Sequence, residues 1–398
     1  MNQRKLISYN SPTYFPENII CEKQNAKWLC HIGIHNSANK NAGDTLLFPV
    51  VRRAFDLVLG PFNWQLKQAW EEFNAETAER VNASCHAIIL GGGGLLLKDQ
   101  VGCENSNSGW QWNSSINAIQ RLKIPLIIFA IGYNRFPGQP DFDEIFRHHI
   151  QSVVTQADFF GLRNTGSIRA VNEYIPNNLT HKLRHQYCPT TVIWQLYPEY
   201  RKKAEQHDRE NKKVFVINAA FDRTNFRFGK EINLILNNIA NAIAIVEKRG
   251  WEILVVAHKV QDRKIEPYLN TKCIRYNTVD LTEANPEQII DFYTTVDLVL
   301  GMRGHAQMIP FGLRRPIISL ISHDKMRFFL EDIGYLNWGI YINDSNLITR
   351  LETMLDRIEY NRNEVYEEIA QAQMLVWEET LTNLATIGNQ VLGINPNL

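Results

Sequence analysis

Short apolar runs alternate with longer segments of helical period along almost the whole chain, and this alternation limits the possible folds more than any other feature. In the first half the runs are KWLCHIGI (from Lys27), HAIILGG (from His86), PLIIFAIG (from Pro125) and FFGLR (from Phe159). The segment GDTLLFPVVRRAFDLVLG, between the first two, carries its apolar residues at helical spacing. The second half repeats the scheme with KVFVINA (from Lys213), WEILVVAH (from Trp251), KCIRYN (from Lys272), DLVLGMR (from Asp297) and PIISLIS (from Pro316). There KEINLILNNIANAIAIVEKRG predicts a helix stopped by Gly250, and NPEQIIDFYTTV a shorter one. Buried-type strands alternating with helices predict parallel sheets covered on both faces.

At 398 residues the chain exceeds what a single core usually supports. The expectation is α/β, with two Rossmann-like domains facing across a cleft. The first is expected over residues 1–200 and the second over 201–360, with C-terminal helices over 361–398 packing back on the first domain. The charged stretch EYRKKAEQHDRENKK reads as the linker or an exposed helix between the domains. Lys plus Arg (42) equals Asp plus Glu (42), which argues against a nucleic-acid binder and against a polybasic membrane anchor. The start MNQRKLISYNSPTYFPENII has no apolar core of a signal peptide, and no apolar stretch is long enough to span a bilayer. Six cysteines without C-x-x-C spacing predict reduced, buried thiols, hence a cytoplasmic protein.

Open parallel sheets bind ligands at the carboxyl ends of their strands. Arg303 and His305 stand there, in GMRGHAQMIPFG, just after the run VDLVL. Arg163 ends FFGLR, and Lys325 follows the last strand in SHDKMRFF. Three cations at strand ends drawn from both halves predict a small, multiply anionic ligand, since arginine suits planar oxyanions and lysine acts as a point charge.

LGGGGLLL places Gly91 to Gly94, with Gly92 and Gly93 central, after a strand without the spacing of a nucleotide loop; it reads as a ligand-approach loop or a tight turn. In NKNAGDTLL, Asn41 and Asp44 precede a helix; Asp44 reads as its N-cap, or the pair could meet a substrate hydroxyl. Trp110 and Trp112, among Gly, Asn and Ser, either stack on a sugar ring or anchor their loop to the core. No metal site is expected: on a strand rising about 3.3 Å per residue, His31 and His35 of CHIGIH lie too far apart to share an ion. His148 and His149 diverge on a helix, and no G-x-S-x-G elbow of a serine hydrolase occurs.

NAGDTLL, ILGGGGLL, FAIGY, GLRNTGS and MRGHAQMIPFGLRRPIISLISHDKMRFFLEDIG, in that order, resemble the polysaccharide pyruvyl transferase family from about Ile32 to Gly334. The resemblance implies a GT-B-like pair of Rossmann-like domains and transfer of a carboxyethylidene group from phosphoenolpyruvate onto hydroxyls of a cell-surface polysaccharide or its precursor, as a ketal. It implies His305 and Arg303 as catalytic, Arg163, Arg303 and Lys325 as donor-binding, and no metal or nucleotide cofactor. Asn41, Asp44, Gly92, Gly93, Trp110 and Trp112 are expected on the acceptor side. Two departures stand out: Asn164 follows Arg163 where the family commonly has Asp, and Thr190 in CPTTV stands where it often has Asp-Pro. The expected partners are phosphoenolpyruvate and a sugar or lipid-linked oligosaccharide; with a lipid-linked acceptor, a soluble enzyme working at the inner membrane face would be natural. Two other readings stay open at this point: a GT-B glycosyltransferase using a nucleotide sugar, and a non-enzymatic glycan- or partner-binding member of the fold.

Overall fold

The computed structural model describes residues 5–9, 19–20, 25–35, 41–98, 106–209 and 213–397. Most of the amino-terminal stretch read for a leader lies outside them, as do Cys21 and Cys103. No described helix is long and apolar enough to cross a membrane.

The chain forms two units, each discontinuous in sequence. One comprises residues 15–36, 47–189 and 377–398, the other residues 1–14, 37–46 and 190–376. The division at 189/190 falls before the charged stretch, not within it. That stretch forms the helix Arg201–Arg209, whose Ala204 and His207 are buried.

The strands, in chain order, are β1 (Leu6–Ser8), β2 (Ile19–Ile20), β3 (Trp28–Gly33), β4 (Asn63–Gln68), β5 (Ala87–Leu96), β6 (Leu126–Tyr133), β7 (Phe159–Leu162), β8 (Leu183–His185), β9 (Val214–Asn218), β10 (Glu252–Ala257), β11 (Asn277–Asp280), β12 (Leu298–Gly301), β13 (Ile317–Ile321) and β14 (Gly339–Tyr341). The first unit carries a sheet of order β2-β4-β3-β5-β6-β7-β8, parallel except for the edge strand β2. The second carries an all-parallel sheet of order β1-β11-β10-β9-β12-β13-β14. Its six strands from β9 onward follow the Rossmann order 3-2-1-4-5-6, so the strand order reverses between β9 and β12. The buried faces are made by the predicted runs: every residue of β9, β12 and β13 is buried. Helix Ile232–Lys248 stops at Gly250 as expected, with Gly250 at φ +85°. Helix Pro286–Tyr293 starts on a capping box between Asn285 and Gln288.

Two expectations are corrected here. KCIRYN is not a strand: helix Glu266–Thr271 ends at Lys272, Cys273 turns through φ +56°, and pairing begins only at Asn277. Cys273 is therefore exposed, unlike the buried Cys30, Cys85 and Cys188. The four glycines do not form a loop after a strand; they lie inside β5, which continues to Leu96 through a register shift against β6. Gly91 passes so close to β6 that a Cβ there would collide with the Phe129 carbonyl oxygen. Gly92 and Gly93, at φ +85° and +86°, lie against Leu47 of helix Ala42–Leu59. Close packing against β6, Leu47 and Asn134 thus accounts for the glycine run.

Gly91→Ala should therefore cost at least about 3 kcal/mol, because a backbone atom blocks the new methyl and φ is unfavourable as well. Gly93→Ala, which meets only the flexible end of Leu47, should cost less. Denaturant midpoints of the two variants check the order; equal losses would contradict the packing account.

Candidate functional site

In the second unit, four adjacent strands end in polar residues: Asn218 ends β9, His258 and Lys259 follow β10, Arg303 follows β12, and His323 and Lys325 follow β13. Asp262 lies at their centre and is fully buried. Its Oδ2 accepts hydrogen bonds from the backbone N–H groups of His258 (3.1 Å) and Lys259 (3.1 Å) and from Asn218 Nδ2 (3.2 Å). The Arg303 guanidinium closes on the same carboxylate in a fork, Nε to Oδ2 at 2.7 Å and Nη2 to Oδ1 at 2.6 Å. Its third nitrogen, Nη1, lies 2.8 Å from Asp222 Oδ1. The backbone N–H of Arg303 donates to Asn218 Oδ1 at 3.2 Å.

Asp222 is gripped from a second side by Arg227, whose Nη2 donates to Oδ2 at 3.0 Å and whose Nη1 donates to Ser322 Oγ at 2.6 Å. Burial alone would raise the Asp222 carboxyl, but Arg303, Arg227 and Lys325 hold it well below the usual carboxylate range. Burial would likewise lower the Arg303 guanidinium; Asp262 and Asp222 instead raise it above its ordinary value. Arg303 is thus a cation with two carboxylates already on it, not an open anion receptor.

His305 heads the helix His305–Gly312, two residues beyond Arg303. The start of helix Ala42–Leu59 belongs to the same unit, and Gly43 is the reason it can approach: a Cβ on Gly43 would collide with the His305 imidazole. Ala42 N donates to the His258 carbonyl at 3.0 Å. The cap of this helix is Asn41, not Asp44 as expected. The Asn41 carbonyl accepts from Thr45 N at 2.9 Å, its Oδ1 accepts from Gly43 N at 3.2 Å, and its Nδ2 donates to Asp44 Oδ2 at 2.6 Å. Asp44 occupies the first turn, where burial pushes its carboxyl up against the pull of Lys259, Asn41, Lys325 and Arg303.

Among the predicted site residues, Asn41, Asp44, Arg303, His305 and Lys325 share this unit. Arg163, Gly92, Gly93, Trp110 and Trp112 lie in the other. Arg163 is buried at the end of β7, and Gly132 leaves it room: a Cβ there would collide with the guanidinium. Asn164 serves as the N-cap of helix Thr165–Asn172, accepting from Ser167 N at 2.7 Å, a task that needs no charge. Trp110 and Trp112 are not exposed; both are fully buried, which selects the core-anchor reading over sugar stacking. Trp110 Nε1 donates to His149 Nδ1 at 2.8 Å, so the His149 Nε2–H faces Ser114 Oγ at 2.9 Å, and the ring cannot act as a base toward that serine.

His31 and His35 are closer than the strand argument allowed, because β3 ends at Gly33 and the His35 ring reaches back to the His31 carbonyl: their ring centroids lie 4.6 Å apart. The group between them is not a cation-binding gap but Arg52, whose Nη1 reaches both Nδ1 atoms at 3.3 and 3.4 Å. Both rings are therefore protonated on Nε2, donating to the Gly91 carbonyl (2.9 Å) and the His31 carbonyl (2.8 Å). Among the described residues no group of three or more His, Cys, Asp or Glu is placed to hold a metal ion.

The sequence reading missed Asp222, Arg227, His258, Lys259 and Asp262. All five follow β9 or β10, so the strand-end rule that flagged Arg303 covered them; none carries a motif of its own.

The fold is GT-B-like, built from two Rossmann-like domains. A Listeria monocytogenes protein described as a UDP-N-acetylglucosamine 2-epimerase superposes with TM-score 0.52 at 12% identity, covering 91% of this chain and 96% of that one. The UDP-GlcNAc 2-epimerase of Methanocaldococcus jannaschii gives 0.51 at 12% identity over 83% and 93%. HepE from Anabaena, solved with UDP, gives 0.50 at 10% over 92% and 100%. At such identities the likeness is one of fold. No curated protein matches the sequence significantly. The sequence model of the polysaccharide pyruvyl transferase family matches residues 7–324, and the chain belongs to that family.

The buried histidines supply a pH test. Burial pushes His258 down to about 4, with Asp262 opposing and Arg303 assisting, and it pushes His149 to about 4. Burial, with Arg52, takes His35 to about 3. All lie below the unfolded value of about 6.5, so the unfolded chain binds protons first as pH falls. Stability should be fully present above about pH 6.5 and decline steadily toward pH 4. Thermal midpoints across that range check this, and His149→Gln should flatten the slope.

Proposed function

We propose that this protein transfers the carboxyethylidene group of phosphoenolpyruvate onto two hydroxyls of a sugar in a cell-surface polysaccharide or its precursor, releasing phosphate. Family membership supports this, and one observation carries the assignment of roles. At the ends of the central strands, Lys259 and Lys325 act on Asp44 beside His305, while Arg303 is already committed to Asp262 and Asp222.

In this reading the two lysines meet the phosphate and carboxylate of the donor as point charges. Arg303 does not grip the donor first; it fixes the turn that delivers His305 and adds a permanent positive field. His305 gives a proton to the methylene carbon of phosphoenolpyruvate, leaving an oxocarbenium-like centre at C2. A sugar hydroxyl attacks C2 and returns its proton to His305. The C2–O bond to phosphate then breaks, and a second hydroxyl closes the ketal, its proton leaving with phosphate. An imidazole can both give and take a proton, which this sequence of steps requires. Asn41 and Asp44, tied to each other, orient the acceptor. No metal or nucleotide enters this scheme, and the acceptor is a free or lipid-linked saccharide.

Titration of phosphoenolpyruvate by calorimetry, with UDP-N-acetylglucosamine as control, tests the reading. Lys259→Ala and Lys325→Ala should each weaken donor binding by roughly 10-fold or more, the value of a lost charged hydrogen bond. His305→Ala should bind the donor within about threefold of wild type yet lose roughly 100-fold or more in phosphate release. Binding of the nucleotide sugar but not of phosphoenolpyruvate would overturn the donor assignment; a fully active His305→Ala would remove the proton-transfer role.

A further inference from the structure

Two arginines flank one tryptophan on the second unit, away from the strand ends just described. The guanidinium of Arg314 lies 4.8 Å from the Trp194 ring centroid and that of Arg201 lies 5.8 Å from it. Arg201 Nε donates to the Trp194 carbonyl at 2.7 Å, and Arg314 Nε to Gln373 Oε1 at 3.4 Å. Among the described residues neither arginine forms an ion pair with a carboxylate, which sets them apart from Arg227, Arg303, Arg315 and Arg362 of the same unit. Burial and the neighbouring Arg201 charge lower the Arg314 guanidinium, and no carboxylate opposes them.

The backbone at Arg314 is an independent observation. Helix His305–Gly312 ends in a Schellman motif, with Arg315 N bonded to the Pro310 carbonyl (2.8 Å) and Arg314 N to the Phe311 carbonyl (2.9 Å). The residue in the left-handed position is Arg314, at φ +59°. Glycine normally occupies this place, because a side chain there is strained. A long charged residue at a glycine position is a strain that stability does not require.

The helix beside this pair exposes two apolar side chains. Gln195, next to Trp194 in the chain, bonds the long helix Arg362–Thr386, donating to Met374 Sδ at 3.6 Å and to Gln373 Oε1 at 2.8 Å. Met374 is 40% exposed and Leu375 66% exposed. A soluble anion would pair with the arginines but leave these two side chains in water. A phospholipid surface takes both: its phosphates meet the guanidinium edges, the indole sits at headgroup level, and Met374 and Leu375 enter the acyl boundary.

We propose that Arg201, Trp194 and Arg314, with Met374 and Leu375, form a docking surface for anionic phospholipid headgroups. The surface holds the protein on a membrane weakly and reversibly, as two cations and a small apolar patch would. It uses none of the residues assigned to pyruvyl transfer, so it stands or falls separately from that assignment.

Co-sedimentation of the full chain with phosphatidylglycerol vesicles at low salt, against pure phosphatidylcholine, tests it. Wild type should partition onto the anionic vesicles alone. The pair Arg201→Ala with Arg314→Gly should lower partitioning roughly 30-fold, about fivefold for each charge removed. Replacing both arginines by lysine should keep it within about threefold, and Leu375→Ser should weaken it. Arg314→Gly relieves the left-handed strain, so its thermal midpoint should not fall below wild type, which separates lost binding from lost folding. Wild type that ignores anionic vesicles, equal partitioning of wild type and the double variant, or arginine-dependent binding of soluble pyrophosphate without vesicle binding would each overturn the proposal.

Discussion

The second unit depends on one buried carboxylate. Asp262 is fully excluded from solvent and accepts five hydrogen bonds from four residues: His258, Lys259, Asn218 and the two-nitrogen fork of Arg303. These partners sit at the ends of β9, β10 and β12, so a single ion ties three strand ends together where the strand order reverses. A buried charge is tolerable only with such saturation, and removing one side of the pair would cost about 3 to 5 kcal/mol. The rest of the site follows from it. Arg303 held by Asp262 draws in Asp222, Asp222 draws in Arg227, and Arg227 reaches Ser322 and His323.

This arrangement changes how an arginine at the end of a strand should be understood. Its charge is permanent, but its hydrogen-bonding fork is already used by the protein. In the proposed reading the flanking lysines, whose flexible stems can adjust, meet the donor as point charges. In the same reading Arg303 supplies rigidity and field to His305, two residues further along. Donors and charges fixed before the substrate arrives need no reorganisation during reaction, which is where such a site gains most of its effect.

Much of the fold was legible in the sequence because buried parallel strands are nearly continuous apolar runs. VFVIN, LVLG and IISLI could be read directly, and with them the positions of Arg303 and Lys325. Half-buried and edge strands were not: β4, NWQLKQ, mixes polar and apolar residues, and β8 and β14 span three residues each. The glycine run misled because glycines inside a strand and glycines in a ligand loop look alike until Phe129 and Leu47 are seen against them. Asp262 was invisible for a different reason. Its partner Arg303 lies 41 residues further along the chain, and an aspartate in VQDRK resembles any surface acid. Exposure was equally opaque for Trp110 and Trp112, whose polar loop sequence concealed full burial.

The central claim is that Arg303 acts through Asp262 rather than by gripping the donor itself, and a double-mutant cycle on phosphoenolpyruvate affinity tests it most directly. The variants are Arg303→Ala, Asp262→Ala and the two combined, each checked for folding by its thermal transition. If the two residues work as one unit, the combined variant should bind no more weakly than the worse single one, giving a coupling close to the whole single effect. Losses that simply multiply, with Arg303→Ala damaging binding equally whether or not Asp262 is present, would mean that the arginine meets the donor on its own and would contradict the account.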